Sequence, residues 1–435
     1  MADAHAPSIS VPLRFVLTGL AALAVGFGIL VCRPDLLATY HYGPNVIALA
    51  HLFILGWLAS LVMGSMYQLV PVALQTRLHS ERLAKLHYLC HVAGFVGMVW
   101  TFWVWNMKQV GHFGSLLAFG AFLFIYNLAR TLARIPRWDV VAAAIASALF
   151  WLFMTLCAGL FAVSAKCWPQ ISPFAPISLM HAHAHLGILG FFITLLVGVS
   201  FKLIPMFVLG EVQSRRRTWA ALILINLGLA SLFPTMLLAS AWKFPAACVV
   251  ATGLAIYGWE MLAILRARKR RALDWGLRSF LAALCLLAPL ALLGLVLAWP
   301  SLPATEKTGQ WENVYGVLAI LGVLTFAIMG MLYKIIPFLV WYAAYSRHVG
   351  RAKVPALAEM YSPRLQIAGF ATYLPGLAGL CIATVLAHER AIQAASALLA
   401  VSLVFFAVNV GLMLAHWFKP RLALAAGPNP MPARL

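Results

Sequence analysis

Runs of about 20 apolar residues, each enough to cross roughly 30 Å of hydrocarbon, recur along the whole chain and restrict its fold more than any other feature. They predict helices over 13–32, 46–72, 86–106, 114–135, 139–164, 179–207, 218–240, 245–267, 279–299, 314–341, 365–387 and 391–418. Of the 435 residues, 63% are hydrophobic and 10% charged, whereas a soluble domain keeps about a quarter of its residues charged. The links between runs are short and leave no room for a sizeable soluble domain. The expected fold is an all-α integral membrane protein of about twelve transmembrane helices. It forms a single membrane domain over 1–435 with the lipid bilayer as its surroundings.

A net charge of +20 would fit a nucleic-acid partner if it formed one patch, and it does not. With the N-terminus placed in the cytoplasm, 25 of the 31 Lys and Arg fall on the inner side, among them Arg215, Arg216 and Arg217 and the cluster from Arg266 to Arg271. The same side takes Arg421 and Arg434. The outer side receives Arg33, Lys108, Lys166, Lys243, Lys307 and Arg390. Cytoplasmic loops of membrane proteins carry this bias. The expectation is therefore a bacterial-type inner membrane, both termini cytoplasmic, and no nucleic-acid partner. The opening MADAHAPSISVPLR lacks a basic region ahead of its apolar run, so the first helix reads as retained and not as a removed signal peptide. His5 falls in this tail. The seven cysteines are scattered without a CxxC. They read as small apolar fillers, with an oxidised pair between Cys32 and Cys167 as the lesser alternative.

An internal repeat organises the helices. HLFILGWLASLVMGSMYQLVPV from His51, HLGILGFFITLLVGVSFKLIPM from His185 and VLAILGVLTFAIMGMLYKIIPF from Val317 align without a gap. Glycines match at Gly56, Gly190 and Gly322 and again at Gly64, Gly198 and Gly330; prolines match at Pro71, Pro205 and Pro337. The starts lie 134 and 132 residues apart, which predicts three pseudo-threefold four-helix units over approximately 13–135, 139–267 and 279–418. Glycine in a membrane helix lets backbones approach closely. Each proline is expected where its helix reaches the inner face, so that the missing N–H costs little.

Ionisable groups inside a membrane are costly and default to functional hypotheses. His51 lies about one turn inside the outer end of the second helix. His181, His183 and His185, in MHAHAHLG, occupy the outer end of the sixth. Helical geometry puts His181 and His185 on one face and His183 elsewhere. Neutral imidazole is a common ligand of haem iron, copper and zinc. Candidate cofactor ligands are therefore His51, His181 and His185. Candidate metal ligands are His181, His183 and His185, with His183 snorkelling to the interface as its alternative role. His41, His79, His112, His348, His388 and His416 read as interfacial, and His87 and His91 as a solvated inner-leaflet face. Asn127, Asn226, Glu260 and Asn409 read as interhelical hydrogen-bonding groups, with a proton path through Glu260 as a second reading.

Twelve helices, three four-helix units, and a second helix running from histidine to an aromatic–polar–x–V–P sequence resemble the catalytic subunit I of haem–copper oxidases. The resemblance covers essentially the whole chain. It implies that His51 is an axial ligand of a b-type haem and that the His181–His185 segment holds copper. It further implies a cytochrome or respiratory-chain partner subunit. HAHLGILG is also similar to an element of NnrS-type membrane haem–copper proteins, associated with nitric-oxide metabolism. The departures are specific. The tenth helix, which supplies two histidines in that family, has Val317 at the repeat position, and TWAALILINLGLASLF lacks the family's seventh-helix histidine pair. A complete binuclear oxygen-reducing centre is not expected; any enzymatic activity would be that of an oxidase-type oxidoreductase. The expected function is haem binding, with copper as a second cofactor, in respiratory electron transfer or in handling oxygen or nitric oxide. The alternatives are a transporter, a metal-handling protein or an assembly subunit that kept the bundle and lost the haem.

Overall fold

The computed structural model describes residues 9–420, 423 and 424; His5, Arg421 and Arg434 lie outside the described residues. The apolar runs fold into twelve long helices: α1 (Ser10–Cys32), α2 (Pro44–Ala73), α3 (Glu81–Trp103), α4 (Met107–Leu132), α5 (Val140–Cys167) and α6 (Pro176–Val208) form the first half. The second half comprises α7 (Arg215–Leu237), α8 (Lys243–Arg266), α9 (Trp275–Leu297), α10 (Glu306–His348), α11 (Pro363–Val385) and α12 (Glu389–Phe418). Among the described residues, all of these but α3 are long and apolar enough to cross a membrane, eleven candidate spans in a multi-pass protein. Helix α3 has the 23 residues of α1, but it opens on Glu81, Arg82 and Lys85. The described strand is limited to Ala352–Lys353 paired antiparallel with Ala423–Leu424.

Short polar residues start most helices. Ser80, Asn106, Asp139, Ser214, Asp274, Thr305 and Ser362 each accept, through the side chain, the N–H three residues on. That satisfies a donor that has no partner within the helix.

Three helices form the centre. In α2, α6 and α10 the most apolar stretch is 67, 72 and 72% buried, against 22–50% in the other eight spans. These three carry the aligned sequence segments, and each departs from α-geometry at the same place. Residues 52–59, 186–193 and 318–325 are π-helical, starting directly after His51, His185 and Val317. A π turn shifts the backbone ladder by one residue and needs polar partners that lipid cannot supply. A hydroxyl at the end of each segment provides one. Ser60 Oγ donates to the Leu55 carbonyl at 3.3 Å, Thr194 Oγ1 to Leu189 at 2.9 Å and Thr325 Oγ1 to Ile320 at 2.8 Å. Thr325 Oγ1 also accepts Trp57 Nε1–H at 3.0 Å, which ties α10 to α2.

The matched glycines are not equivalent in space. A Cβ on Gly198 would overlap the Ala144 side chain, and one on Gly330 would lie within 2.9 Å of Phe280 N; a Cβ on Gly322 meets nothing closer than 3.5 Å. Gly198→Ala is therefore expected to cost about 1–3 kcal/mol through overpacking. Gly322→Ala should leave the thermal unfolding midpoint in detergent unchanged. Equal midpoints for the two variants would refute the close-approach argument.

One of the three matched prolines is placed differently from the other two. Pro71 and Pro205 sit near their helix ends, whereas α10 stays α-helical from Pro337 to Tyr345. The third proline therefore lies within the helix and not at its terminus.

Interhelical hydrogen bonding is the role found for the buried polar groups. Asn127 Oδ1 accepts the Ser80 N–H at 3.0 Å and its Nδ2 donates to the Ser80 carbonyl at 2.7 Å. Asn409 grips Ser362 in the same way at 2.8 and 3.0 Å. Glu260 Oε1 accepts the N–H groups of Gln213 and Ser214 at 2.6 and 2.9 Å, and its Oε2 pairs with Arg217 Nε at 2.6 Å. Asn226 joins α7 to α5 by accepting Trp151 Nε1–H at 2.6 Å.

His87 and His91 do not form a solvated face. Both are buried, because α3 turns them toward α1 and α2. Tyr67 Oη lies 2.9 Å from His87 Nδ1, and Ser60 Oγ 2.9 Å from His91 Nε2. All seven cysteines, Cys32 and Cys167 included, are unpaired.

Candidate metal and cofactor site

A cavity of about 810 Å³ opens among α2, α5, α6, α8, α9 and α10 toward the end of the bundle poorer in basic residues. Its walls are mostly Leu, Ile, Val, Phe and Ala. Six histidines interrupt them: His41, His51, His91, His181, His183 and His185. The volume lies within the usual range for small-molecule sites of about 300–1,000 Å³.

Each sixth-helix histidine has a separate orientation and partner. His183 faces α2 and α5: its Nδ1 lies 3.1 Å from the Thr155 carbonyl, and its ring centroid is 6.4 Å from that of His51 at an interplanar angle of 14°. Gly159 makes room for it, since a Cβ there would come within 2.9 Å of His183 Cε1. His51 Nδ1 lies 2.8 Å from the Ile47 carbonyl, and its ring packs on Phe102 at 4.8 Å. His183 is therefore held inside the bundle and does not snorkel. His185 faces α10. Its Nδ1 is 2.8 Å from the His181 carbonyl, and its Nε2 is 3.4 Å from Tyr315 Oη.

In all three rings a backbone carbonyl engages Nδ1. An N–H donated to that carbonyl sets the tautomer, so Nε2 is the nitrogen offered to a ligand. Outer-shell bonds of this kind orient most metal-ligating histidines.

His181 sits one turn nearer the helix end than His185 and meets a residue that the sequence reading left at the interface. His41, in the loop before α2, places Nε2 3.2 Å from His181 Nε2 and Nδ1 3.6 Å from Glu312 Oε2 of α10. One ligand atom from each of His41, His181 and Glu312 lies within 4.8 Å of the others. Burial holds His41 well below the ordinary histidine value, at about 4. It is a neutral imidazole at pH 7, able to offer a lone pair. The Tyr40 ring packs against it at a tilt, centroids 4.4 Å apart. Nearby, Lys166 Nζ donates to Tyr42 Oη at 2.6 Å and sits 5.2 Å from the Trp105 ring. Lys166 and Lys243 are the cations lining the cavity.

No family model and no curated protein matches this chain. The geometry of the residues therefore carries the argument.

The structure brings all four sequence-selected histidines, His51, His181, His183 and His185, to one cavity. It separates them into a His51–His183 pair, a His185–Tyr315 contact and a His41–His181–Glu312 cluster. Sequence reasoning missed His41, Glu312, Tyr315 and Thr155. Glu312 carried a usable signal, as one of only 11 acidic residues in the chain and five positions before the aligned segment that starts at Val317. Thr155 carried none, because it acts through its backbone carbonyl.

Proposed function

We propose that this protein is a haem-binding membrane protein of the oxidase subunit I type, in which His51 and His183 would hold a b-type haem. One observation carries the reading: two nearly parallel imidazoles, centroids 6.4 Å apart, each with Nδ1 engaged by a carbonyl. A metal bound by two Nε2 atoms at about 2.0–2.1 Å separates the ring centroids by roughly 6 Å. The donor set suits the group: two neutral imidazoles, an apolar cavity of about 810 Å³, and Lys166 and Lys243 on its lining to balance carboxylates. A haem there supplies one-electron chemistry and a site for diatomic gases. The chain's own residues orient the ring nitrogens and keep the surroundings apolar.

The partner of His51 in this reading is a sixth-helix histidine, where the oxidase resemblance puts a tenth-helix one. Val317 removes that tenth-helix option, and His183 stands in for it. The complete oxygen-reducing centre is excluded from the proposal for the same reason. Respiratory electron transfer or gas handling follows as the role, within a pseudo-threefold bundle of three four-helix units. That bundle sits in a bacterial-type inner membrane with its cavity toward the outer face. The aligned π segments and the matching grips of Asn127, Glu260 and Asn409 support the threefold reading.

The test is the reduced-minus-oxidised absorption spectrum of detergent-purified protein from haem-replete cells, with haem quantified. A six-coordinate, low-spin b-type spectrum at about one haem per chain is the expected result. Colourless protein of normal yield would remove the haem reading.

A further inference from the structure

We infer that His41, His181 and Glu312 form a divalent transition-metal site, separate from the His51–His183 pair, at the mouth of the cavity. The inference does not rest on the haem reading. The two Nε2 atoms stand 3.2 Å apart, close to the roughly 3.4 Å edge of a tetrahedron with metal–nitrogen bonds of about 2.0–2.1 Å. One nitrogen from each histidine and one carboxylate oxygen of Glu312 lie within 4.8 Å of one another. Two imidazoles and a carboxylate, without thiolate, suit Zn²⁺ and other divalent first-row ions. Three protein ligands leave a fourth position open, as in catalytic rather than structural zinc sites.

A second observation points to a ligand. Among the described residues His41 Nδ1 is buried with no hydrogen-bond partner, and the carboxylate paired with it stands 3.6 Å away, beyond hydrogen-bond distance. Without an ion the cluster leaves a buried polar atom unsatisfied, at a cost of about 1–3 kcal/mol. With an ion bound, Glu312, 3.6 Å from His41, draws in as the third ligand. The three residues come from the loop before α2, from α6 and from α10, so the ion would join all three central helices at one end. Lys243 lines the same cavity and favours an anion at the open position. His185 Nδ1 bonds the carbonyl of His181 itself; occupancy of the outer site therefore fixes the turn that aims His185 at Tyr315.

The experiment is a Zn²⁺ titration of chelator-treated, detergent-purified full-length protein, read by calorimetry, with X-ray absorption of the loaded sample. Wild-type protein should bind one Zn²⁺ with two imidazoles and one carboxylate in its first shell. His41→Ala and Glu312→Gln should each weaken binding at least about 10-fold, while His183→Ala binds as wild type. Elution volume in size-exclusion chromatography separates misfolded variants from those that only lose the ion. Absence of stoichiometric binding, or unchanged affinity in a monodisperse Glu312→Gln variant, overturns the site. So does loss of binding in His185→Ala with Glu312→Gln unaffected, because the ligand set would then be a different one. His51→Ala and the haem spectrum do not enter these readouts, so failure of the metal site and failure of the haem reading remain distinguishable.

Discussion

His183→Ala and His51→Ala are each expected to abolish the low-spin haem spectrum, whereas His185→Ala keeps it. The discrimination follows from where each ring goes. His51 and His183 face one another with centroids 6.4 Å apart, so removing either would take away one of the two nitrogens that would hold the proposed haem. The haem is then lost, or stays five-coordinate and high-spin through the remaining ring. His185 faces Tyr315 on the other side of α6 and has no part in that pair. Thr155 enters through its carbonyl, so Thr155→Val should leave the spectrum in place. Gly159→Leu should act like His183→Ala, because a side chain there occupies the space of the imidazole. A His183→Ala protein with an unaltered low-spin spectrum would assign the second ligand elsewhere and defeat the proposed pairing.

The second large effect concerns stability. Glu260 is fully buried and accepts two backbone N–H groups from the start of α7 as well as Arg217 Nε. Glu260→Ala strands both N–H groups, each worth about 1–3 kcal/mol when left unsatisfied in a buried place. The expected loss is about 3 kcal/mol or more, seen as a lowered unfolding midpoint in detergent and reduced folded yield. Arg217→Ala removes only a partner that is 26% exposed at its side chain, and it leaves the two backbone bonds in place. Its effect should be the smaller one. Exposed Arg215→Ala should have none. A Glu260→Ala protein as stable as wild type would show that the cap carries no weight, and would reopen the proton-path reading that its hydrogen bonds otherwise displace.

Much of the architecture was legible in the chain because lipid leaves few options. A run of about 20 apolar residues must be helical to satisfy its own backbone, so the twelve helices were readable to within a few residues at most ends. The aligned segments from His51, His185 and Val317 were readable too, and they are the three most buried helices of the eleven spans. The π segments inside them were not. Their marker is a hydroxyl at Ser60, Thr194 or Thr325, and a hydroxyl in an apolar helix also fits ordinary bonding to the preceding turn. His87 and His91 were misread because their place at the inner start of α3 suggested water. The face they occupy depends on the packing of α1 and α2 against α3, which no periodicity in α3 itself records.

The candidate site divides in the same way. Four histidines at one depth could be picked from the sequence because ionisable groups in apolar segments are rare and costly. Their partners could not. His41 reaches His181 across 140 residues of chain, and Asn313, beside Glu312, bonds back across 274 residues to the Thr39 carbonyl. Helical periodicity grouped His181 with His185 and set His183 apart, and that angular relation is correct. The ring that stands beside His51 is nevertheless His183, since the cavity passes α6 on both sides. By itself, then, the sequence determined an all-helical membrane bundle and which residues are too polar to be there without a reason, because the burial cost of each residue is local. Which imidazole meets which, and around what space, was decided only by tertiary packing, because ligand geometry depends on helix rotation and crossing, set by contacts between residues far apart in the chain.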